Sequence, residues 1–167
     1  MSRVRSPGAN RPRYRVRELT AADLKNGFLE TLANLGDVGG LAPAEARGLF
    51  KAMKSNHVYH PFVAVADDGQ IIGATTLLVE QKFIHSGGLV GHIEDVVVRK
   101  GHEGRGVGGS VVKAAVDKGR EIGCYKVILD CRPELVDFYK KLGFREHEVG
   151  MRIDLARPSP SGARTRR

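Results

Sequence analysis

Val96-Val97-Val98-Arg99-Lys100-Gly101-His102-Glu103-Gly104-Arg105-Gly106-Val107-Gly108-Gly109 runs from a β-branched strand, through a glycine-rich loop, into a helix that starts near Val107. Glycines at 104, 106, 108 and 109 let the backbone approach a ligand closely and turn successive N–H groups toward it. The first turn of the helix adds unpaired donors and a positive dipole end. The stretch therefore predicts a loop that cradles a diphosphate, with Arg105 as a mobile cation inside it.

Three readings of the loop compete. Gly104-x-Gly106-x-x-Gly109 fits the dinucleotide pattern G-x-G-x-x-G, and Asp130 ends the next apolar run, about where a ribose-binding carboxylate is expected. That pattern wants its first glycine almost at the end of the strand, whereas Arg99 to Glu103 intervene here. In the second reading, Glu103 to Gly108 resembles the R/Q-x-x-G-x-G/A loop with which the GNAT superfamily of N-acetyltransferases grips the pyrophosphate of acetyl-coenzyme A. Glu103 stands where that family usually has Gln or Arg. The third is a glycine-rich turn with no ligand.

Length and charge bound the answer. The 167 residues suit one domain, large enough to bury a core without disulfides or a metal. A formal net charge of +8 suggests polyanionic partners until it is located. Residues 1–17 hold six arginines and residues 157–167 four more, with no acid in either, so 18–156 carry 17 basic against 19 acidic side chains. The basicity lies in tails rich in Pro, Ser and Gly, and the expectation is a folded domain over 14–156 between disordered tails, 1–13 and 157–167. No specific nucleic-acid partner is expected, only weak clinging of the tails to polyanions.

Cys124 and Cys131 flank one predicted strand, which sets their Cα atoms about 23 Å apart, beyond disulfide reach. Buried thiols in a reducing compartment are expected. No apolar run is long enough to span a membrane and the start lacks a secretory core, so a cytoplasmic location is expected. An organellar alternative stands because the Arg-rich start is similar to a mitochondrial presequence, although Pro7 and Pro12 disfavour the helix such a signal needs.

Periodicity and punctuation give the elements. Tyr14 to Leu19 alternates as a strand, and Thr20 caps a helix over Ala21 to Asn34 with Asp23 three residues on. Pro43 opens a second helix ending near Asn56. Phe62 to Ala66, the turn Asp67-Asp68-Gly69 and Gln70 to Ile84 make a hairpin, and Gly91 to Val98 the next strand. The helix after the glycine loop puts Val107, Val111, Val112, Ala115, Val116 and Ile122 on one side. Tyr125 to Cys131 is a strand, Pro133 opens a short helix ending at Gly143, and Glu148 to Leu155 closes the sheet. This order predicts an α/β domain with a mixed, mostly antiparallel sheet flanked by helices. A dinucleotide domain would need β-α units on both sides of Gly104, and there is only one, so the acetyltransferase reading gains.

Four further segments carry a sharper resemblance. Gln81-Lys82-Phe83-Ile84-His85, Gly91-His92-Ile93-Glu94-Asp95-Val96-Val97-Val98, Cys124-Tyr125-Lys126-Val127-Ile128-Leu129-Asp130-Cys131 and Phe138-Tyr139-Lys140-Lys141-Leu142-Gly143-Phe144 resemble the successive motifs of the eukaryotic glucosamine 6-phosphate N-acetyltransferase family, spanning about Leu19 to Leu155. The resemblance implies acetyl transfer from acetyl-coenzyme A to the 2-amino group of glucosamine 6-phosphate, toward UDP-N-acetylglucosamine, in a homodimer whose subunits share the sugar site.

The residue types suit that chemistry. An amine must reach the thioester unprotonated, the oxyanion needs a donor, and the thiolate leaves more easily if offered a proton. Tyr139 is a suitable acid, and the resemblance assigns it that role. The backbone of Val96, Val97 and Val98 would hold acetyl and pantetheine, with Gly104, Arg105, Gly106, Val107, Gly108, Gly109, Lys140 and Lys141 completing the coenzyme site. Glu94, Asp95 and Asp130 would surround the amine, and which is the general base stays open. By resemblance Lys82, His85, Lys126 and Arg152 take the sugar phosphate, with Phe83, Ile84, Tyr125 and Val96 beside the sugar. Gly36 follows Leu35 where the family often has Thr.

Plainer readings stand beside these. Asp130 ends a strand; Tyr139 pairs with Phe138 and Phe144 in a core; Lys140 and Lys141 form a solvated face; Lys82 and His85 decorate a surface hairpin. His57 and His60 lack metal-ligand spacing, so no metal is expected. Rival functions are a GNAT enzyme with another amine acceptor (polyamine, antibiotic or protein N-terminus), an acyl-coenzyme A sensor, or a nucleic-acid-binding module.

Overall fold

The computed structural model describes residues 13–155; the two tails expected to be disordered lie outside the described residues but for Arg13. Five strands, β1 (Tyr14–Glu18), β2 (Tyr59–Ala66), β3 (Ile71–Gln81), β4 (Leu89–Val98) and β5 (Cys124–Ile128), form one sheet in the order β1-β2-β3-β4-β5. All neighbours are antiparallel except β4 and β5, which are parallel because helix α4 (Val107–Ile122) crosses over between them. Two helices, α1 (Phe28–Leu32) and α2 (Pro43–Ser55), precede β2. A single irregular turn, α3 (Ile84–Gly87), links β3 to β4, and α5 (Val136–Lys141) follows β5.

Local chemistry explains the well-read elements. Gly69, at φ 86°, lets the Asp67-Asp68-Gly69 turn close, and the Asp68 carboxylate accepts the Gln70 N–H at 2.9 Å. Pro43 opens α2, where Glu45 accepts the Ala42 N–H at 2.9 Å. On one face of the sheet α4 buries Val107, Val111, Val112 and Ala115 against Leu77, Ile93 and Ile72. On the other, Phe28, Leu32 and Phe50 of the first two helices cover Val63, Val65, Ile71 and Ala74. Each such large side chain contributes about 1.5–3 kcal/mol on burial.

Four expected elements come out differently. The helix over Ala21 to Asn34 is two pieces, a 3-10 turn (Ala21–Lys25) and α1, broken at Gly27, whose φ of 89° no helix tolerates. The Arg99 guanidinium fills the space beside Gly27 and donates to its carbonyl at 3.3 Å. The expected cap holds: Asp23 accepts the Thr20 N–H and hydroxyl, each at 2.8 Å, and is gripped by Arg17. The hairpin's second strand ends at Gln81 because His85 and Ser86 adopt left-handed conformations that turn the chain back.

Glu148 to Leu155 does not join the sheet. It is irregular, with a bend at Glu148, and exposed with no strand partner among the described residues, its Val149, Met151, Ile153 and Leu155 being 81–96% exposed. β5 likewise stops at Ile128, so Cys131 lies on the following loop and is exposed, while Cys124 is half-buried; both thiols are free, and the expectation of two buried cysteines fails for Cys131.

Candidate active site

The site begins with one extra residue in β4. Ala74 pairs with Val97 and Thr76 with Glu94, so Thr75 alone faces both Asp95 and Val96, a β-bulge. Thr75 anchors it by donating its hydroxyl to the Glu94 carbonyl at 2.9 Å, and Asp95 takes the strain at φ 54°. Pairing of β4 with β5 ends at His92 and Ile128, so the bulge and the rest of β4 have no strand partner on that side among the described residues, which leaves an opening there. The Arg99 N–H bonds to Ile72 on β3 at 2.9 Å. Strand alternation then turns the N–H groups of Val96 and Val98 into the opening and that of Val97 back toward β3.

Strand pairing also sorts the side chains by face. His92 and Glu94 on β4 share a face with Leu78 and Thr76 on β3 and with Lys126 and Ile128 on β5. Asp130 continues that parity, and this face is opposite the one covered by α4. Glu94 meets Asp95 and Asp130 there: partial burial, then the negative charge of those two neighbours, pushes its carboxyl above the usual glutamate range. The three acids are one cluster at the lip of the opening.

Tyr139 approaches from the other side. Its ring is 6% exposed, packed edge-on against Phe138 and Phe144 with centroids 4.9 and 5.9 Å away, beneath Val112 and Ala115 of α4. The core-aromatic reading and the acid reading are therefore compatible. Its hydroxyl has no hydrogen-bond partner among the described residues and faces an open groove of about 1260 Å³ along β5, while burial raises its pKa above the ordinary tyrosine value. It is a neutral phenol at physiological pH, able to give a proton.

The glycine loop runs from the end of β4 into α4. Gly104 and Gly106 take φ of 73° and 80°, and the first-turn N–H groups of Val107, Gly108 and Gly109 point toward the loop, while the Val107 side chain is core. Tyr14 hydrogen-bonds Ser110 at 2.9 Å and braces the loop from β1. Arg105 is exposed. Glu103 turns inward on its own loop, accepting the Gly101 N–H at 2.6 Å; backbone donors, its own N–H first, hold its carboxyl below the usual glutamate range.

The expected phosphate cations do not all meet. Lys82 Nζ lies 2.5 Å from Glu80, and Lys126 reaches over the Tyr125 ring, which also packs tilted against His85 with ring centroids 4.5 Å apart. Phe83 is fully exposed and Ile84 largely so. Among the described residues Arg152 pairs only with Asp154, within its own segment, though that segment passes Asp130 at Gly150. Lys140 is paired with Glu146 at 2.5 Å and Lys141 is exposed. Sequence reasoning passed over Glu80 and His92, which the alternation of β3 and β4 would have placed beside Lys82 and Glu94.

A bulged strand that runs on unpaired past the end of its parallel neighbour, with an N–H-rich loop at one end, is the frame of an acyl-coenzyme A transferase. Residues 29–144 match the acetyltransferase (GNAT) family, and the chain belongs to that family. Within it the chain is 43% identical to glucosamine 6-phosphate N-acetyltransferase 1 of Oryza sativa subsp. japonica, over 86% of this chain and 88% of that protein. It is 40% identical to glucosamine 6-phosphate N-acetyltransferase of Candida albicans, over 83% and 93%. The crystal structure of glucosamine-6-phosphate N-acetyltransferase from Arabidopsis thaliana superposes with a TM-score of 0.83 at 32% identity, covering 86% of this chain and 99% of that one.

Proposed function

We propose that the protein transfers the acetyl group of acetyl-coenzyme A to the 2-amino group of D-glucosamine 6-phosphate, giving N-acetyl-D-glucosamine 6-phosphate for UDP-N-acetylglucosamine synthesis. The observation that carries the reading is the cluster of Glu94, Asp95 and Asp130 on one side of the β4–β5 opening with an unpaired, protonated Tyr139 on the other. On this reading the loop from Gly104 to Gly109 receives the diphosphate, and the Val96 and Val98 N–H groups hold the pantetheine and the developing oxyanion. The three carboxylates orient the amine and stabilise the charge it gains as it attacks. Tyr139 gives its proton to the departing sulfur. Lys82 and Lys126, on the same side as the acids, suit the sugar phosphate.

The reading extends to a homodimer. Val149, Met151, Ile153 and Leu155 alternate along this segment and expose an apolar row that the described residues leave uncovered, beside the open edge of β5. A second copy that pairs this segment with β5 would bury the row and bring Arg152 into a shared sugar site. Free thiols at 124 and 131 fit a reducing compartment, the cytoplasm on this reading. The experiment is thiol release from acetyl-coenzyme A with glucosamine 6-phosphate, glucosamine, a polyamine and an aminoglycoside in parallel. Release specific to the phosphorylated sugar is the expected result, and equal release with the other amines would overturn it.

A further inference from the structure

Glu80 joins two groups that the acetyl-transfer reading leaves apart. One of its carboxylate oxygens accepts a hydrogen bond from Lys82 Nζ at 2.5 Å, and the other lies 2.9 Å from His92 Nε2. With Nε2–H donating to the carboxylate, the lone pair of the neutral imidazole sits on Nδ1, the arrangement by which a carboxylate fixes a histidine's tautomer and ring orientation. Nδ1 has no hydrogen-bond partner among the described residues, and the side chain is 28% exposed, so water or substrate can reach it. His92 precedes Glu94 by two residues on the same strand and the same face, about 7 Å along the backbone. The groups facing it are Glu80 and Lys82 on the β3 side, Glu94 on β4, and Lys126 and Asp130 on the β5 side.

We propose that His92, oriented by Glu80, takes up the proton that the substrate's ammonium group must lose before its nitrogen can attack. The inference rests on the acetyl-transfer reading and deepens it. The nitrogen loses two protons in all. The first passes to His92 Nδ1 and from there to water, freeing the lone pair that forms the C–N bond. The second is given up after the C–S bond breaks and replaces on Tyr139 the proton that the sulfur has taken, so both side chains end as they began. The three neighbouring carboxylates serve the charge on the nitrogen, whereas the imidazole of His92, held at Nε2 by Glu80, presents a free lone pair at Nδ1 to accept the proton. Glu80 also ties the base to Lys82, so that capture of the sugar phosphate by Lys82 and the alignment of the ring are coupled through one carboxylate.

The test is H92A and H92N in the full chain, with coenzyme A titration to show that each variant is folded. With saturating substrates, H92A should lose about 10²-fold or more in kcat, the worth of one general base, with little change in the KM for acetyl-coenzyme A. Added imidazole should restore rate to H92A in proportion to its unprotonated fraction. H92N, which keeps a hydrogen-bonding group but no base, should be as slow as H92A. Histidine nitrogen NMR of the unliganded protein should find His92 as the Nε2–H tautomer, and E80Q should abolish that preference and lower kcat less than H92A does. A wild-type kcat and pH profile in either His92 variant, or lost rate that imidazole does not restore in a folded H92A, overturns the proposal. If wild-type protein releases no thiol with glucosamine 6-phosphate, it is the acetyl-transfer reading that fails. If it does and the variants match it, only the role of His92 fails.

Discussion

At the scale of single residues, Tyr139 combines a buried ring with an unbonded hydroxyl, and the combination makes its substitution diagnostic. Tyr139→Phe keeps the edge-on contacts with Phe138 and Phe144 and removes only the oxygen. Steady-state kinetics should show kcat down by about 10²-fold with coenzyme A affinity unchanged; equal turnover would return Tyr139 to the core. Asp23 belongs to stability. Burial raises its pKa, but the Arg17 guanidinium and the Thr20 N–H and hydroxyl outweigh this, so the carboxyl ends below the usual range. A lowered folded pKa gives stability that is present above the unfolded value, about 3.9, and is lost as pH falls through the folded one. Asp23→Asn should cost about 3 kcal/mol at neutral pH, since it strands Arg17 against a buried neutral group. Urea melts should show its deficit from wild type shrinking toward pH 3.

Two glycines govern how the elements meet. A Cβ on Gly73 of β3 would lie 2.5 Å from the Val107 side chain at the start of α4, so glycine there allows the helix to sit on the sheet. Gly73→Ala should lower stability by about 1–3 kcal/mol through overpacking, read as a lower thermal midpoint. Gly106 differs. Its added Cβ would touch only the Tyr14 hydroxyl at 3.5 Å, but its φ of 80° costs any other residue about 1–2 kcal/mol, and the side chain would stand in the proposed diphosphate cradle. Calorimetric titration of Gly106→Val with coenzyme A should show a larger loss of affinity than its modest loss of stability explains. Unchanged affinity would make the loop an ordinary turn.

For the whole molecule, the uncovered row from Val149 to Leu155 makes association the decisive measurement. Sedimentation of the wild-type chain should give a dimer, and Met151→Glu with Ile153→Glu should give a monomer that keeps its fold but loses acetyl transfer to the phosphorylated sugar. A wild-type monomer with full activity would mean that each site is complete within one chain. Two charges in the proposed strand interface would be severe because each must be desolvated without a partner.

Much of the fold was legible from local order along the chain. The Asp-Gly turn, Pro43, the Thr20 cap and the valine spacing of α4 each act within a few residues, and the mixed sheet follows from counting one β-α-β unit after a run of antiparallel strands. The sequence also carried the glycine loop and the resemblance of its four segments. Tertiary structure alone decided the rest, because the forces involved act between residues far apart in the chain. Arg99 reaches back to Gly27 and accompanies the break in a helix whose periodicity was sound. Thr75 fixes a bulge in β4 that no pattern in β4 announces, in the part of the strand that lies past its pairing with β5. Glu80 meets His92 only because β3 and β4 pair in one register. The final alternating segment has the pattern of a strand without a neighbour among the described residues, since a strand's hydrogen bonds must be completed by another backbone that its own sequence does not specify.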